Sequence, residues 1–230
     1  MTTTLTRRGL LVGALAGSAT VGVGLGRISA SEASTSRSAM EASVGGEEPS
    51  TVDLGFCTDM ATHHVQALAL CQRVLGRDTG GEVQAAAAEV LQNQAIEVGQ
   101  MRAWLTDWGA STSPPTWVMG WMPAADDDGS TTESDDEHVH DGGAVLLAEM
   151  PGYATDEELQ ELSRLEGTAQ GRCWLELMRA HHVGGVAMAE VAAELAGLEK
   201  VRRLASTQAT TQTYEIAVYD QLLAGAYADA

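Results

Sequence analysis

The chain is poor in basic residues, and this shortage argues against several classes of partner. Its 230 residues include 13 Lys and Arg against 32 Asp and Glu, which gives a formal net charge of −19. Because the basic residues do not cluster, the sequence argues against binding to nucleic acid or to an anionic lipid surface. We interpret the acidic excess as a solvated surface. The 44% hydrophobic content suits one globular domain of ordinary size with tails.

The sequence also lacks the residue patterns of common catalytic sites. It contains no Ser/His/Asp or Cys/His arrangement specific enough to indicate hydrolysis or nucleophilic catalysis, and no glycine loop that would hold phosphate. None of the predicted helices carries the Glu-x-x-His spacing of di-iron bundles. We therefore expect a protein that is not an enzyme, and an oxidase that uses a bound metal is only a third hypothesis.

Cysteine is scarce, and its number is odd. Cys57, Cys71 and Cys173 leave at least one thiol free or paired between chains. Cys57 and Cys71 share one predicted helix and lie roughly 21 Å apart along its axis, so they cannot form a disulfide with each other. We expect each thiol to be buried, because free cysteine is among the most buried residue types. A disulfide between Cys173 and one of the other two stays open.

Long apolar runs are missing except near the N-terminus. There, Arg7 and Arg8 precede a Gly- and Ala-rich apolar run, which is typical of a twin-arginine export signal. We predict that residues 1–33 form this signal, that it is cleaved, and that the protein is exported to the cell envelope or beyond it. An uncleaved signal is the alternative and would give the only membrane contact. Residues 34–50 are rich in Ser, Glu and Gly and predict a flexible tether.

A doubled Met-x-x-His-His motif is the most informative feature that is present. It occurs at residues 60–64 and 178–182, which are 118 positions apart. The same offset, without a gap, pairs Phe56 with Trp174, Ala67 with Gly185, Gln94 with Gln212, Glu97 with Glu215 and Leu105 with Leu223. We interpret this self-similarity as an internal duplication of one supersecondary unit.

Apolar spacing and helix-terminating residues divide residues 51–230 into two helical hairpins joined by a long crossover. The first hairpin covers about 51–109, the crossover 110–154 and the second hairpin about 155–230. Helices are predicted from Asp53 to Leu75, from Glu82 to Trp108, from a capping box at Thr155 and Glu158 to Ala196 with a break near 167–171, and from Glu199 to Tyr227. The apolar residues from Trp117 to Met122 are expected to pack on the helices. The predicted fold is an all-α four-helix bundle.

The doubled motif places soft metal ligands on one face of a helix. Side chains three and four positions after Met60 lie on either side of its face, so His63 and His64 flank it, and His181 and His182 flank Met178 in the same way. Thioether and imidazole together suit Cu(I), whereas Mg²⁺ and Ca²⁺ require oxygen ligands. The motif therefore predicts a site for a soft transition metal.

Three carboxylates are candidates to orient these imidazoles. Glu97 and Glu215 are expected to accept hydrogen bonds from imidazole N–H groups, and Asp59, one turn before His63, is expected to do the same. The alternative is a metal-free structural core in which Glu97 and Glu215 simply satisfy buried histidines. His138 and His140 lie in an acidic tract at residues 126–141, which we interpret as a solvated loop.

These residues resemble the domain-of-unknown-function 305 family (DUF305) over about residues 50–230. The resemblance implies an exported, ferritin-like helical bundle, and the better understood members are associated with copper or silver. The motifs that carry it are Met60-x-x-His63-His64, Gln94-x-x-Glu97-x-x-x-Met101-x-x-Trp104-Leu105, Met119-Gly120-Trp121-Met122 and Met178-x-x-His181-His182-x-Gly184-Gly185-x-x-Met188. The implied metal ligands are Met60, His63, His64, Met178, His181, His182 and Met188.

The first half departs from the family pattern at Leu70, which matches Met188, and the second half at Tyr219, which matches Met101. Cys71, beside Leu70, is a possible substitute ligand. We predict an exported helical protein that binds Cu(I) or Ag(I) and buffers or delivers the ion outside the cytoplasm. The alternative function is a metal-free helical module with a structural Met/His core that binds a protein partner or a second copy of the chain.

Overall fold

The computed structural model describes residues 48–123 and 143–230. The predictions for the export signal, for the tether up to residue 47 and for His138 and His140 concern residues outside these ranges. The described residues are mostly helical with little strand, which agrees with the predicted all-α class. The helices are α1 Thr51–Val74, α2 Gly81–Asp107, α3 Asp156–Arg164, α4 Gly167–Leu195 and α5 Glu199–Ala224.

A capping box begins α1 and also ties it to α5. The Ser50 hydroxyl accepts the backbone N–H of Asp53, and the Asp53 carboxylate accepts the backbone N–H of Ser50. The same buried carboxylate accepts the N–H groups of Gly197 and Leu198 at 3.1 and 3.0 Å. One carboxylate therefore satisfies free donors at the start of both helices.

The predicted third helix is divided into α3 and α4. The capping box at Thr155 and Glu158 begins α3 as predicted. The break lies at Leu165 and Glu166, just before the predicted region, and both residues have extended backbone. Gln170 closes this corner, because its side-chain amide donates to the carbonyl of Leu162 at 2.9 Å.

A short antiparallel ribbon in the crossover is absent from the sequence-based prediction. Strand β1 (Trp117–Val118) pairs with β2 (Val145–Leu146), and a 3₁₀ turn at Leu147–Glu149 follows. Two-residue strands are too short to produce the alternation that predicts a strand. The expected packing of this region is confirmed, because Val118 is buried and Trp121 packs edge-on against Phe56 with ring centroids 5.9 Å apart.

The helices pack in two pairs that meet through α1 and α4. α1 lies along α2, and α4 lies along α5. The first apolar cluster contains residues from the start of α1 and the end of α4, among them Met60 and Met188. The second contains residues from the end of α1 and the start of α4, among them Leu70 and Met178. α1 and α4 are therefore antiparallel, and the doubled His pair stands between the two clusters along both helices.

The cysteines agree with the sequence-based expectation only in part. All three are free thiols, and Cys57 and Cys71 are buried, whereas Cys173 is partly exposed. The expectation that every thiol is buried is therefore wrong for Cys173, which lies near the start of α4. Of the helices in the part of the chain that the structure describes, none is long and apolar enough to cross a membrane.

Candidate metal centre

Four fully buried imidazoles meet between α1 and α4. The rings of His63 and His181 stack, with centroids 3.6 Å apart and planes inclined by 25°. His181 Nε2 lies 2.9 Å from the backbone carbonyl oxygen of His63. Because a carbonyl only accepts, this nitrogen carries the proton, and Nδ1 of His181, which has no hydrogen-bond partner, holds the lone pair when the ring is neutral.

The other two imidazoles each contact a glutamate. His64 Nε2 lies 2.7 Å from Glu97, and His182 Nε2 lies 2.6 Å from Glu215. The carboxylates are mostly buried, with 19% and 14% of their side chains exposed. A carboxylate accepts the Nε2–H, so the lone pair of a neutral imidazole is at Nδ1. Neither Nδ1 has a hydrogen-bond partner.

The stacked pair is held in the neutral form. Burial lowers the pKa of both His63 and His181 well below the usual value, and the neighbouring imidazoles lower each pKa further. The carbonyl of Pro151 partly offsets this effect at His63, although neither ring nitrogen of His63 forms a hydrogen bond of good geometry. Neutral imidazole is the form that binds a metal.

The methionines are distributed unequally between the two apolar clusters. Met60 and Met188 lie in the first cluster with Met101, and all three are buried. Met150, from the segment before α3, joins them. The second cluster contains a single methionine, Met178. We call the four buried imidazoles the histidine layer. Met60 stands one helical turn before His64, so the side of this layer that contains His64 is rich in thioethers.

On the His182 side, other residues stand where the first cluster has thioethers. Tyr219 packs edge-on against His182, with ring centroids 5.4 Å apart, and Leu70 joins the same cluster. Cys71 also lies there, but burial, with a smaller effect of Glu215, raises the pKa of its thiol to about 12. A thiol that stays protonated is a poor metal ligand.

The structure corrects the prediction for Asp59. Its carboxylate accepts the backbone N–H of Met119 at 2.7 Å and the indole N–H of Trp121 at 2.8 Å. The described contacts of Asp59 therefore bind the crossover to α1 and include no imidazole. Trp121 can approach α1 this closely because Gly55 has no side chain. A Cβ at this position would collide with the Trp121 ring. Spacing within one helix cannot reveal a partner 60 residues away.

Two residues beside the histidines were not singled out from the sequence as binding the crossover. Gln66 binds Ala154 twice, because its amide donates to the carbonyl and accepts the N–H, each at 2.7 Å. Gly184 allows the carbonyl of Pro151 to touch α4, where a Cβ would collide with it. Gln66 and Gly184 occupy matching positions at the offset of 118. The sequence signal for this difference is Gln in one half and Gly in the other at the second position after each His pair.

The histidines do not by themselves form a converged cage. Within residues 48–123 and 143–230, no three His, Cys, Asp or Glu side chains converge so as to hold a metal ion. A metal bound in this layer would therefore need thioether ligands in addition to imidazole. The buried Nδ1 atoms without partners and the adjacent thioethers are the donors that this layer offers.

Comparison with known proteins identifies the relatives of the chain. The profile of the family described as "Domain of unknown function (DUF305)" matches residues 53–223. A DUF305 protein from Streptomyces coelicolor, described as a candidate secreted protein, is 33% identical in sequence, with a TM-score of 0.61 over 75% of this chain and 91% of that one. A DUF305 fragment from Deinococcus radiodurans is 27% identical, with a TM-score of 0.59 over 76% and 97% of the two chains.

The Cu(I)-bound form of CopM is a more distant structural neighbour. It is 19% identical, with a TM-score of 0.53 over 76% of this chain and 97% of CopM. At that identity the likeness shows a shared fold alone. No protein of curated function matches the sequence.

Proposed function

This chain belongs to the DUF305 family, and from that premise we propose that it binds a soft transition metal, Cu(I) in first place, in the buried Met/His layer between α1 and α4. The protein would buffer or deliver this ion outside the cytoplasm. Ag(I), which has similar ligand preferences, is expected to bind at the same place. The ligands would come from the seven residues implied by the family resemblance, with Glu97 and Glu215 orienting imidazoles.

The observation that carries the proposal is the arrangement around His64. Its Nε2 contacts Glu97, while its Nδ1 is buried without a hydrogen-bond partner, and Met60 stands one helical turn before it on the same helix. Metal-binding histidines usually donate their second ring N–H to a carboxylate in this way, which fixes the ring and raises its basicity. A buried nitrogen without a partner otherwise lowers the stability of the fold by about 1–3 kcal/mol, so a metal ion that binds it removes this cost.

The distribution of sulfur favours the His64 side as the tighter of two unequal sites. Met60, Met101 and Met188 all lie in the first cluster, and thioether is a ligand that Cu(I) prefers over Zn²⁺ or Mg²⁺. The His182 side offers Met178 alone, with Tyr219 and Leu70 in place of two thioethers. We therefore expect one tightly bound ion per chain rather than two.

The duplication and the ferritin-like four-helix bundle are part of the proposal. Two His–Glu contacts at the same offset and the antiparallel course of α1 and α4 support a pseudo-twofold relation between the hairpins. Export is supported by the description of the Streptomyces relative as secreted, and the twin-arginine route is supported by Arg7 and Arg8. The copper-bound forms of CopM support the choice of metal.

The test is an anaerobic competition against a chromogenic Cu(I) chelator. Residues 34–230 of the wild type are compared with the double variant Met60→Leu/Met188→Leu. Exchange of Met for Leu conserves volume and costs less than about 1.5 kcal/mol per site, so the helices should persist. We expect the affinity for Cu(I) to fall about a hundredfold or more, since two ligands are lost and each loss is expected to weaken binding by about one decade.

Two further variants locate the site. Met178→Leu makes the same exchange on the poorer side, and the proposal expects it to change the affinity by less than about twofold. Leu70→Met/Tyr219→Met restores two thioethers there and should add a second bound ion. Equal losses in the Met60→Leu/Met188→Leu double variant and in the Met178→Leu variant would contradict the location. A wild type that does not compete with the chelator would contradict the function.

The burial of two methionines favours the metal-free alternative. Both Met60 and Met178 are completely buried in apolar clusters, where methionine commonly serves as packing. In that case the His–Glu contacts form a structural polar core, and the helices present their outer faces to a protein partner or a second copy. This alternative expects no competition for Cu(I) by the wild type and the same unfolding midpoint with and without the metal.

A further inference from the structure

A groove of about 280 Å³ lies between α2 and α5, on the outside of the His182 side. Three carboxylates line it, those of Glu82, Glu89 and Glu215, and no basic residue does. The remaining surface consists mainly of alanine and aliphatic side chains and of two tyrosines, Tyr214 and Tyr219. An apolar groove with acidic residues and aromatic rings suits an organic cation.

The matching face of the other half already contains a cation. Lys200 occupies the position that matches Glu82 at the offset of 118. Its ammonium nitrogen lies 5.2 Å from the ring centroid of Trp104 and 4.9 Å from that of Trp108. One half therefore covers this face with its own alkylammonium group, whereas the other half has a carboxylate at that position and an open groove.

Tyr219 supplies a second observation that points to a ligand. Its side chain is 1% exposed and lines the groove, and its hydroxyl has no hydrogen-bond partner. Buried hydroxyl groups are nearly always paired, so this residue of the groove wall has a hydrogen-bonding group that the described contacts leave unused. Tyr214, by contrast, is 71% exposed and lines the same groove.

The spacing of the carboxylates indicates an elongated ligand. Glu82 and Glu89 lie seven residues apart on α2, which separates them by roughly 10 Å along one face of the helix. Ala85 and Ala86 stand between them and line the same groove. Three carboxylates spread in this way do not converge on one metal ion, in agreement with the described part of the chain as a whole.

We propose that this groove binds a linear aliphatic polyamine. Its terminal ammonium groups pair with Glu82 and Glu89, and its methylene groups cover the alanines between them while the interior ammonium group stays hydrated at the open side of the groove. Glu215 and the tyrosines form the opposite wall. Methylene groups with charged ends match a groove that is apolar in the middle and acidic at both ends. The groove contains none of the proposed metal ligands, but it shares Glu215 and Tyr219 with the surroundings of His182, so it is tested on metal-free protein.

The experiment is isothermal titration calorimetry of the metal-free chain (residues 34–230) with spermidine at low salt. We expect saturable binding that Glu82→Lys weakens about tenfold or more, because the introduced ammonium group replaces the ligand as Lys200 does in the other half. Glu190→Lys, at an exposed position of α4, changes the net charge equally and serves as the matched control. Equal weakening by both variants would mean loose attraction to an acidic surface and would overturn the proposal.

A second measurement uses the wild type alone and does not depend on how a variant folds. Aliphatic diamines of increasing length are titrated in turn, with n-butylamine as the singly charged control. Affinity should rise with length until the two nitrogens are about 10 Å apart and should exceed that of the monoamine at least fivefold. Affinity that is independent of length, or absent binding, would refute the groove as a polyamine site.

Discussion

Acidification should destabilise the metal-free protein strongly, because His63 and His181 are buried as a stacked pair. Their rings lie 3.6 Å apart, and the pKa of each is held well below the ordinary value of 6.5 by burial and by neighbouring imidazoles. In the unfolded chain both rings regain ordinary titration. Below about pH 6.5 the unfolded state therefore binds protons that the native state does not, and stability falls as pH falls.

The size of the effect follows from proton linkage. Each histidine that stays neutral in the native state lowers the free energy of unfolding by up to about 1.4 kcal/mol per pH unit once its unfolded form is protonated. Between pH 7 and pH 5 the two residues together remove about 4 kcal/mol. A domain with 5–15 kcal/mol of total stability would lose a large share of it. Above pH 6.5 this contribution is fully present, and the curve should be flat with respect to these groups.

The assay is urea unfolding of the chelator-treated domain (residues 34–230), followed by circular dichroism at pH 7, 6 and 5. The matched variant is His181→Gln, whose amide can still donate to the His63 carbonyl but cannot titrate. We expect it to remove about half of the pH-dependent loss, roughly 2 kcal/mol between pH 7 and pH 5. A wild type that loses less than about 1 kcal/mol over this interval, or a variant with an unchanged loss, would refute the neutral buried pair.

Two packing predictions follow from the contact between the crossover and the helices. Gly184→Ala should lower stability by about 1–3 kcal/mol in thermal unfolding, because its Cβ would collide with the Pro151 carbonyl. Gly99→Ala, where the added methyl group meets nothing, should instead raise stability by up to about 1 kcal/mol. Gln66→Leu should cost about 2–4 kcal/mol in urea unfolding, because it leaves the N–H and C=O of Ala154 buried without partners. Equal melting temperatures for the two glycine variants, or a Gln66 variant as stable as wild type, would contradict these contacts.

The helical part of the fold could be read from local patterns. Helix ends depend on residues close in sequence, so Thr155 and Glu158 predicted the start of α3, and glycines after α1 and α2 predicted their ends. The doubled motif likewise indicated that the two His pairs lie at the same level of the helices. A constant offset in sequence keeps corresponding residues on the same helix face and at the same position along the helix axis. These features need only the geometry of a single helix.

The contacts of the crossover could not be read in this way. Asp59 has the right spacing to orient His63 on its own helix, but the described structure gives its carboxylate to Met119 and Trp121. This outcome depends on how close Trp121 can come to Gly55, a distance that no periodicity encodes. The ribbon of β1 and β2 was missed because each strand has only two residues and its partner lies on the other side of the acidic tract.

The two halves of the histidine layer keep the same scaffold but differ in what surrounds it. Each contains a His–Glu contact between residues 33 positions apart in the sequence. The first cluster adds thioethers, and its outer face is covered by Lys200, whereas the second has Tyr219 beside His182 and an open acidic groove. Thioether sulfur raises the affinity for a soft metal ion, while an open acidic groove gives an organic cation a place to bind. A change in one half therefore need not alter binding in the other, and the two sites can be tested separately in one chain.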